Sequence, residues 1–336
     1  MKKSFLILLA SCFILLNTQL SLGQEDSKSK RNVVFYTFFV NFVPDGLNIP
    51  LIGFVNNAMG NHKGAQVGFI NTNLKSFEGI QVGFVNTVLG KTDGGQVGFI
   101  NTNFKNLEGI QVGFVNTVLE SSKGAQVGFV NTSLSSIKGI QVGFVNVTSA
   151  VVNSPQIGFV NTASRLNGFQ LGFVNFVDSL EGGIPLGFVS IVRKGGYRAI
   201  ELFASEMHPI NLSFKIGVKP LYTFISASYS GNGERLFEYG FGVGSIINIK
   251  NKLFFNPELK SVTSPKEFNT HYYSFTPKIG YEFTDNIYIA GGPSILWNYN
   301  EELHPMANPL FSIVNHTIGL NHRLIVGARL AVGVNF

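Results

Sequence analysis

The chain has 336 residues, of which 38 are Gly, 32 are Phe and only 13% are charged, with a formal net charge of +6. Average soluble domains contain roughly 7% Gly and about 25% charged residues, so this chain is rich in Gly and Phe and poor in charge. The composition excludes a disordered chain, which needs low hydrophobicity and high net charge. It also excludes collagen, because 12 Pro and no Gly at every third position cannot form a triple helix.

Residues 1–23 have the features of a signal peptide. A positively charged start precedes the apolar run 5–16, and small residues stand before Gln24 at the positions that a signal peptidase recognises. We therefore predict export, cleavage before Gln24, and a polar linker over 24–32. A second interpretation stays open, in which Cys12 is the acylated residue of a lipoprotein.

The exported chain has few ways to cross a membrane or to bind a metal. Cys12 is the only cysteine, so the chain that remains after cleavage before Gln24 has none. This excludes disulfides, thiol catalysis and zinc–thiolate sites. No later apolar stretch approaches the roughly 18 residues that a spanning helix needs, so any crossing of a membrane must use a barrel. The short basic run 28–31 is typical of a solvated linker, and nucleic acid is not expected as a partner.

Residues 51–190 consist of near-copies of one unit, Gln-Val-Gly-Phe-Val/Ile-Asn-Thr. Ten central glycines follow one another at 15 residues, except for one step of 14 residues from Gly158 to Gly172. A Phe follows every central Gly, an Asn stands three residues after it in nine units, and a Gln stands two residues before it in eight. This regularity indicates a repeat architecture. The central glycines are Gly53, Gly68, Gly83, Gly98, Gly113, Gly128, Gly143, Gly158, Gly172 and Gly187.

Each unit is predicted to form one strand and one turn. In the unit 79–88, alternation places Ile80, Val82, Phe84, Asn86 and Val88 on one face, and smaller residues on the other. The charged residues of the region fall between the strand cores, where turns are expected. About 10 residues remain for each strand, which is the length of a tilted transmembrane β-strand.

The repeat also has a 30-residue superperiod. The residue three positions before the central Gly alternates between small residues and Ile, as in Ala65, Ile80, Gly95, Ile110, Ala125 and Ile140. This favours an antiparallel meander, in which neighbouring strands run in opposite directions. A flattened solenoid with two units per coil, or duplication of a two-unit segment, would give the same superperiod.

After residue 193 the repeat stops and the alternation of apolar and polar residues becomes stricter. It is clearest over 237–244, 273–283 and 324–336, and further strands are predicted at about 197–206, 211–219, 221–230, 252–262 and 286–299. Such alternation, with aromatic residues on the apolar face, is typical of outer-membrane strands. The chain also ends on an aromatic residue, Phe336, as outer-membrane barrels commonly do.

The Gly-x-Gln-x-Gly-Phe-x-Asn units, the export signal and the amphipathic C-terminal strands together resemble bacterial surface-repeat proteins. These proteins occur in the envelopes of Bacteroidetes-type and spirochaete bacteria. The resemblance is strong over 51–190 and looser over the remainder of the chain. It implies a cell-envelope location. Because the family has no established activity, the resemblance implies no catalytic residue.

No motif for chemistry stands out. The six histidines are scattered, Gly240–Gly244 lies inside an alternating strand rather than before a helix, and no nucleophile elbow or phosphate loop is present. We predict no enzyme, no catalytic residue, no cofactor and no metal site. The Gln and Asn columns are predicted to satisfy one another and the backbone, with a polar channel lining or a glycan-binding ladder as alternatives. The Phe column is predicted to face lipid or to pack a core, with a ligand platform as the alternative.

The predicted fold is all-β, with a repeat β region over 33–192 and amphipathic C-terminal strands over 193–336. We expect an antiparallel meander closed as one large outer-membrane β-barrel, for which contact between 33–43 and 323–336 would be the evidence. The alternative is a β-solenoid repeat domain followed by a small C-terminal β-barrel.

The predicted function is non-catalytic: a structural role, a passive channel or surface display at the bacterial outer membrane or cell surface. The lipid bilayer of the outer membrane is the expected partner. The alternative is a surface or periplasmic repeat module that binds a protein or glycan, whose binding residues the sequence does not identify.

Overall fold

The computed structural model describes residues 34–229, 237–263, 271–299, 308–318 and 322–336. These residues form strands and turns, and none of them is helical. The predicted signal peptide and polar linker, including Cys12, lie outside the described residues.

The first seventeen strands form one sheet system, which comprises the repeat. They are β1 (Phe35–Tyr36), β2 (Val40–Val43), β3 (Leu51–Ile52), β4 (Val55–Ala58), β5 (His62–Val67), β6 (Ile70–Asn73), β7 (Phe77–Val82), β8 (Val85–Val88), β9 (Thr92–Val97), β10 (Ile100–Asn103), β11 (Leu107–Val118), β12 (Ser122–Ser133), β13 (Ile137–Val152), β14 (Gln156–Ile157), β15 (Val160–Leu166), β16 (Phe169–Leu180) and β17 (Ile184–Lys194).

The remaining strands form a second sheet. They are β18 (Tyr197–Ala204), β19 (Ile210–Val218), β20 (Leu221–Tyr229), β21 (Phe237–Gly244), β22 (Ile247–Lys250), β23 (Leu253–Thr263), β24 (His271–Glu282), β25 (Ile287–Tyr299), β26 (Val314–Ile318) and β27 (His322–Asn335).

The repeat folds as a β-solenoid of about ten coils. Its strands pair in parallel, and each residue lies beside the residue 15 positions later, as Gln66 beside Gln81 and Asn71 beside Asn86. One unit makes one complete coil. The single 14-residue step is taken up in the register of β15 and β16, where Val160 pairs with Val174.

The predicted antiparallel meander, and with it the single large barrel, is therefore wrong. The unit does not run straight, because the chain turns a corner at the central Gly and the following Phe. Ile80, Val82 and Phe84 face outward, whereas Asn86 and Val88, which were predicted on the same face, are buried. The chain is too short between corners to form a strand that spans a membrane.

Close stacking of the coils explains why the corner residue is Gly. A Cβ atom added at Gly98 would lie 2.0 Å from the carbonyl oxygen of Gly83 in the preceding coil and 2.5 Å from Nδ2 of Asn86. Neither atom can move without breaking the coil, so a residue with a side chain does not fit this column.

The 30-residue superperiod comes from packing between coils rather than from alternating strand direction. On the outside, a Cβ atom added at Gly95 would lie 3.6 Å from Cγ2 of Ile110 and 3.7 Å from Cγ1 of Ile80, so large residues of neighbouring coils cover the small one between them. On the inside, two buried positions four residues apart vary between coils. Where the first is polar the second is apolar, as in Asn103 and Leu107, and where the first is apolar the second is polar, as in Val88 and Thr92.

The C-terminal strands form a closed antiparallel barrel of eight strands, as in the predicted alternative fold. Seven pairings follow the order β18, β19, β20, β21, β23, β24, β25 and β27, and β27 closes the barrel on β18, with Leu202 beside Val332. Among the described residues, the last strand pairs with β18, β25 and β26, and β2 pairs with the first coil at β4, so the pairing expected of a single barrel is not formed. The short strands β22 and β26 extend the barrel at opposite ends by pairing with β23 and β27.

The barrel caps the last coil of the solenoid. Val218, at the end of β19, is fully buried in one cluster with Leu166, Val177 and Val192 of the solenoid interior. The hydroxyl of Thr223 donates a hydrogen bond of 3.0 Å to the carbonyl oxygen of Phe188. The turn between β19 and β20 therefore covers polar and apolar groups that the last coil would otherwise expose.

Replacement of Gly98 by Ala should destabilise the solenoid, because the methyl group would overlap a backbone carbonyl. Overpacking of this kind costs about 1–3 kcal/mol or more. Gly95→Ala, in the same coil, is the matched control, since its methyl group meets only ordinary contacts. Thermal unfolding followed by circular dichroism should show a lower melting temperature for Gly98→Ala only. Equal melting temperatures for the two variants would contradict the stacking geometry.

Candidate functional surfaces

The Asn column forms a hydrogen-bonded ladder inside the solenoid. Each Nδ2 donates to Oδ1 of the Asn in the next coil at 2.7–3.0 Å, and the same amide also donates to a carbonyl oxygen near the following corner, as Asn86 does to Val97 at 2.9 Å. The last rung donates to Oγ of Ser190 at 3.2 Å. The ladder comprises Asn41, Asn56, Asn71, Asn86, Asn101, Asn116, Asn131, Asn146, Asn161 and Asn175.

The Gln column forms a second ladder that runs in the opposite direction. Each Nε2 donates to Oε1 of the Gln in the preceding coil at 2.6–2.9 Å, from Gln170 back to Gln66. The two end residues each keep one unbonded amide atom, Nε2 of Gln66 and Oε1 of Gln170. All members of both ladders are fully buried. The prediction that these columns satisfy one another and the backbone is confirmed, and an exposed glycan-binding ladder is wrong.

The Phe column forms a continuous exposed stack on the outside of the solenoid. From Phe54 to Phe188, nine successive ring pairs are 4.9–5.0 Å apart with planes within 5° of parallel. The side chains are 44–56% exposed, so the column does not pack a core. Beside it runs a column of apolar residues that are 36–42% exposed: Val67, Val82, Val97, Val112 and Val127. We call these two columns the Phe–Val stripe.

The Phe–Val stripe continues onto the barrel. The ring of Phe188, the last rung, stacks on Phe241 of β21 at 5.0 Å with an interplanar angle of 17°. Phe241 is 37% exposed on the outer face of the barrel, between Ile225 of β20 and Ser261 of β23. The apolar surfaces of the two parts of the molecule are therefore joined.

The charged residues of the solenoid lie at the edge of the coil away from the Phe column. Ion pairs link neighbouring coils there, such as Lys63 with Glu78 at 2.6 Å and Lys105 with Glu120 at 2.8 Å. A hydrogen bond from Lys91, helped by the nearby charge of Lys123, holds the pKa of the Glu108 carboxyl below its ordinary value. These pairs are exposed and contribute little to stability. They give each coil a charged edge and an apolar edge.

The barrel interior contains a buried network of ion pairs. Nζ of Lys215 and Nζ of Lys278 each lie between the carboxylates of Glu201 and Glu258 at 2.5–3.0 Å, and Nη1 of Arg329 lies 3.1 Å from Glu258. None of these side chains is more than 2% exposed. Two phenol groups donate to the same carboxylates, Tyr222 to Glu258 at 2.8 Å and Tyr288 to Glu201 at 2.9 Å. Every charged group of the network lies within ion-pair distance of an opposite charge, as buried charges require, although Nε of Arg329 has no hydrogen-bond partner.

A second group of buried polar residues lies towards the other end of the barrel. The Tyr272 hydroxyl donates to Glu238 at 2.5 Å, and the Ser294 hydroxyl donates to Glu206 at 3.0 Å. Nζ of Lys260 lies 5.3 Å from the centre of the Phe203 ring. These side chains are at most 4% exposed. Between the described strands, buried polar and charged side chains therefore occupy both halves of the barrel interior.

The outer face of the barrel is apolar. Its middle carries aliphatic residues that are 38–59% exposed: Ile200, Leu202, Leu212, Ile225, Leu259, Ile279, Ile295, Leu330 and Val332. Aromatic residues flank this belt at both ends, with Tyr229, Phe237, Tyr239, Tyr273 and Trp297 towards one end and Tyr281, Phe283 and Phe336 towards the other. A charged interior and an apolar exterior are the reverse of the polarity of a barrel in water.

The glycine-rich segment Gly240–Gly244 lies in β21, where alternate glycines make room for large side chains in the barrel. A Cβ atom added at Gly242 would lie 2.4 Å from the ring of Phe224, and one at Gly244 would lie 2.5 Å from the ring of Tyr222. No helix follows β21. The glycines of this segment therefore serve packing inside the barrel.

The histidines do not assemble into a site. His62 is buried in the solenoid and His208 in the barrel. In the second sheet, His322 pairs with Ile318, two positions from His316, and Tyr299 lies between the strand positions of His322 and His271. His304 lies outside the described residues. Within the described ranges, no group of three His, Cys, Asp or Glu side chains could hold a metal ion. No helix long and apolar enough to cross a membrane is found there either.

Comparison of the chain with models of protein families finds no family that matches, and comparison with curated proteins finds no matching relative.

His62 provides a test of pH dependence near the free end of the solenoid. Burial lowers the pKa of this imidazole below its ordinary value of 6.5, although Nδ1 donates a hydrogen bond of 3.0 Å to the carbonyl oxygen of Leu47. The unfolded chain therefore takes up a proton at a higher pH than the folded chain. The stability that His62 contributes is present above about pH 6.5 and is lost as the pH falls through the lowered pKa.

We expect the protection of amide hydrogens in β3–β5 against exchange, corrected for intrinsic rates, to fall between pH 7.5 and pH 5. His62→Phe is the control, because Phe77 occupies the same position in the next coil. This variant should lose the pH dependence. An unchanged pH dependence in His62→Phe would show that another group is responsible.

Proposed function

We propose that the protein is a non-catalytic outer-membrane protein, in which the eight-stranded barrel spans the bilayer and holds the β-solenoid as a structural and binding module. The observation that carries this proposal is the reversed polarity of the barrel. In a closed barrel the N–H and C=O groups of each strand form hydrogen bonds with neighbouring strands, so a barrel can cross lipid when its outer face is apolar. The belt around Leu259, flanked by aromatic residues on both sides, has the arrangement expected for such a barrel.

The filled interior supports an anchor rather than a channel. The carboxylates of Glu201 and Glu258 are occupied by Lys215, Lys278 and Arg329, so that neither carboxylate is left to attract a cationic solute. Opening a path would separate buried ion pairs, which costs several kcal/mol for each charge left without a partner.

The orientation follows from the one long connection, 300–321, because the other connections at both ends have two to eight residues. At one end the barrel strands are joined through 219–220, 245–252 and 283–286, and at the other through 205–209, 230–236, 264–270 and 300–321. Outer-membrane barrels turn short connections to the periplasm and longer loops to the outside. The solenoid enters the barrel at Tyr197, at the end with the short connections, and Phe336 lies at the same end. A solenoid on the periplasmic side, rather than displayed on the cell surface, fits this arrangement.

Membrane insertion predicts that a charge in the middle of the belt is costly. Leu259→Arg should destabilise the barrel folded in phospholipid vesicles by about 2–4 kcal/mol. Ile249→Arg is the matched control: Ile249 is similarly exposed, at 57% against 52%, but belongs to β22 at the barrel end, where the cost falls to about 0–1 kcal/mol. Folding is followed in urea by the difference in gel migration between heated and unheated samples.

The parent protein should be recovered with outer membranes and should resist carbonate extraction. Recovery of the mature chain as a soluble monomer, or equal effects of the two Arg substitutions, would contradict the proposed membrane barrel.

The proposed orientation predicts unequal labelling of two introduced cysteines. Ile313→Cys lies at the long-loop end, where Ile313 is 75% exposed, and Lys123→Cys lies on the charged edge of the solenoid. A membrane-impermeant maleimide added to intact cells should label the Ile313→Cys variant, and should label the Lys123→Cys variant only after the outer membrane is permeabilised. The parent chain, whose only cysteine is Cys12, gives the background. Labelling of the Lys123→Cys variant in intact cells would place the solenoid outside.

A further inference from the structure

The Phe–Val stripe is a long apolar surface that no described part of the chain covers. Nine stacking steps of 4.9–5.0 Å make it about 44 Å long. With two columns of side chains, its area is on the order of several hundred Å², a size at which an exposed apolar patch usually marks an interaction site.

The coil is amphipathic around its perimeter. Along β11 the outward residues change from the charged Glu108 to the apolar Ile110 and Val112, and Phe114 follows at the corner. The ion pairs between coils lie at the opposite edge, as in Lys63 with Glu78. A long element with one apolar edge and one charged edge is suited to lie in the plane of a membrane interface, with the apolar edge about 5–10 Å below the headgroups.

The position at which the stripe meets the barrel indicates what covers it. Phe188 stacks on Phe241, which lies near the middle of β21 rather than at its end, and whose outward neighbours Ile225 and Tyr239 are 53% and 54% exposed. This contact lies within the apolar belt of the barrel, so the last rung of the stripe adjoins a surface that the proposed function assigns to lipid.

The free end of the stripe is also aromatic. Phe39 occupies the position 15 residues before Phe54, and Phe38 and Phe39 are 79% and 70% exposed. Phe is among the residues found on the apolar face of elements that lie in a membrane interface. Both ends of the stripe therefore have features of a surface in contact with lipid.

We propose that the solenoid lies along the periplasmic leaflet of the outer membrane, with the Phe–Val stripe in contact with lipid acyl chains and the charged edge in water. The inference rests on the proposed function, because the barrel fixes the depth and the side of the membrane at which the stripe begins. It extends that function from an anchored module to one that is held against the membrane over its whole length.

The test uses three single-cysteine variants of the full chain, each labelled with an environment-sensitive nitrobenzoxadiazole fluorophore. Val127→Cys lies on the stripe, and Lys123→Cys lies on the same outward face of β12 but on the charged edge. Leu259→Cys reports on the barrel belt. Each protein is reconstituted in vesicles of phosphatidylethanolamine and phosphatidylglycerol. Quenching by spin-labelled acyl chains is compared with quenching by iodide in the buffer.

We expect the label at position 127 to emit at shorter wavelength than the label at 123, to be quenched by spin-labelled lipid as strongly as the label at 259, and to be shielded from iodide. The label at position 123 should show the opposite behaviour. Circular dichroism and heat-modifiable migration confirm that all three variants fold.

Three results would overturn the inference. If the label at 127 is quenched by iodide while that at 259 is quenched by lipid, the stripe faces water and the membrane barrel stands. If the label at 127 is shielded from both quenchers, protein covers the stripe, and energy transfer between labelled copies would identify that protein as a second copy of the chain. If the label at 259 is itself quenched by iodide, the proposed function fails together with the inference.

Discussion

The structure of the solenoid depends on one constraint: each side chain must tolerate a near-copy of itself in the next coil, about 4.9 Å away. Asn and Gln meet it because an amide is both donor and acceptor, so Asn86 can donate to Asn101 and accept from Asn71. Phe meets it by stacking, and Gly by letting one backbone approach another. The charged column meets it differently, because it lies at the surface, where water screens like charges: Lys63 pairs with Glu78, but Asp93 lies beside Glu108 and Lys123 beside Lys138.

The barrel depends on a different constraint: the polar groups buried in its interior must satisfy one another. Lys215 and Lys278 between Glu201 and Glu258 neutralise one another, and Tyr222 and Tyr288 supply the remaining hydrogen bonds. Apolar residues are thereby left for the outside. Because Val218 of the barrel also closes the solenoid core, the two parts share one boundary rather than a linker.

Much of this architecture could be predicted from the sequence, because periodicity reports local environment. The spacing predicted the repeat, the polar columns and the alternating C-terminal strands. Strand direction could not be predicted, because a parallel coil and an antiparallel meander both place alternate residues on opposite faces. The superperiod was misleading for a physical reason: Gly95 is small because Ile80 and Ile110 cover it. The corner at Phe84 was also missed, although a strictly invariant Gly-Phe pair was the available signal.

The buried ion pairs were not predicted, because the paired residues are separated by up to 77 positions, as Glu201 and Lys278 are. A signal was available in the inward positions of β23, where Glu258 and Lys260 alternate with Leu259. Charges in that register are unexpected in a barrel with an apolar core. They are expected when the interior is polar and the exterior faces lipid.

The most direct test of the central claim is the accessibility of spin labels at the middle of the outer face, attached at Ile225→Cys, Leu259→Cys and Ile295→Cys in protein reconstituted in phospholipid vesicles. The account predicts that all three labels relax strongly with oxygen, which dissolves in the acyl chains, and weakly with a water-soluble nickel chelate. Strong relaxation by the nickel chelate at these positions would mean that the apolar belt faces water or a polar cavity, and would contradict the account.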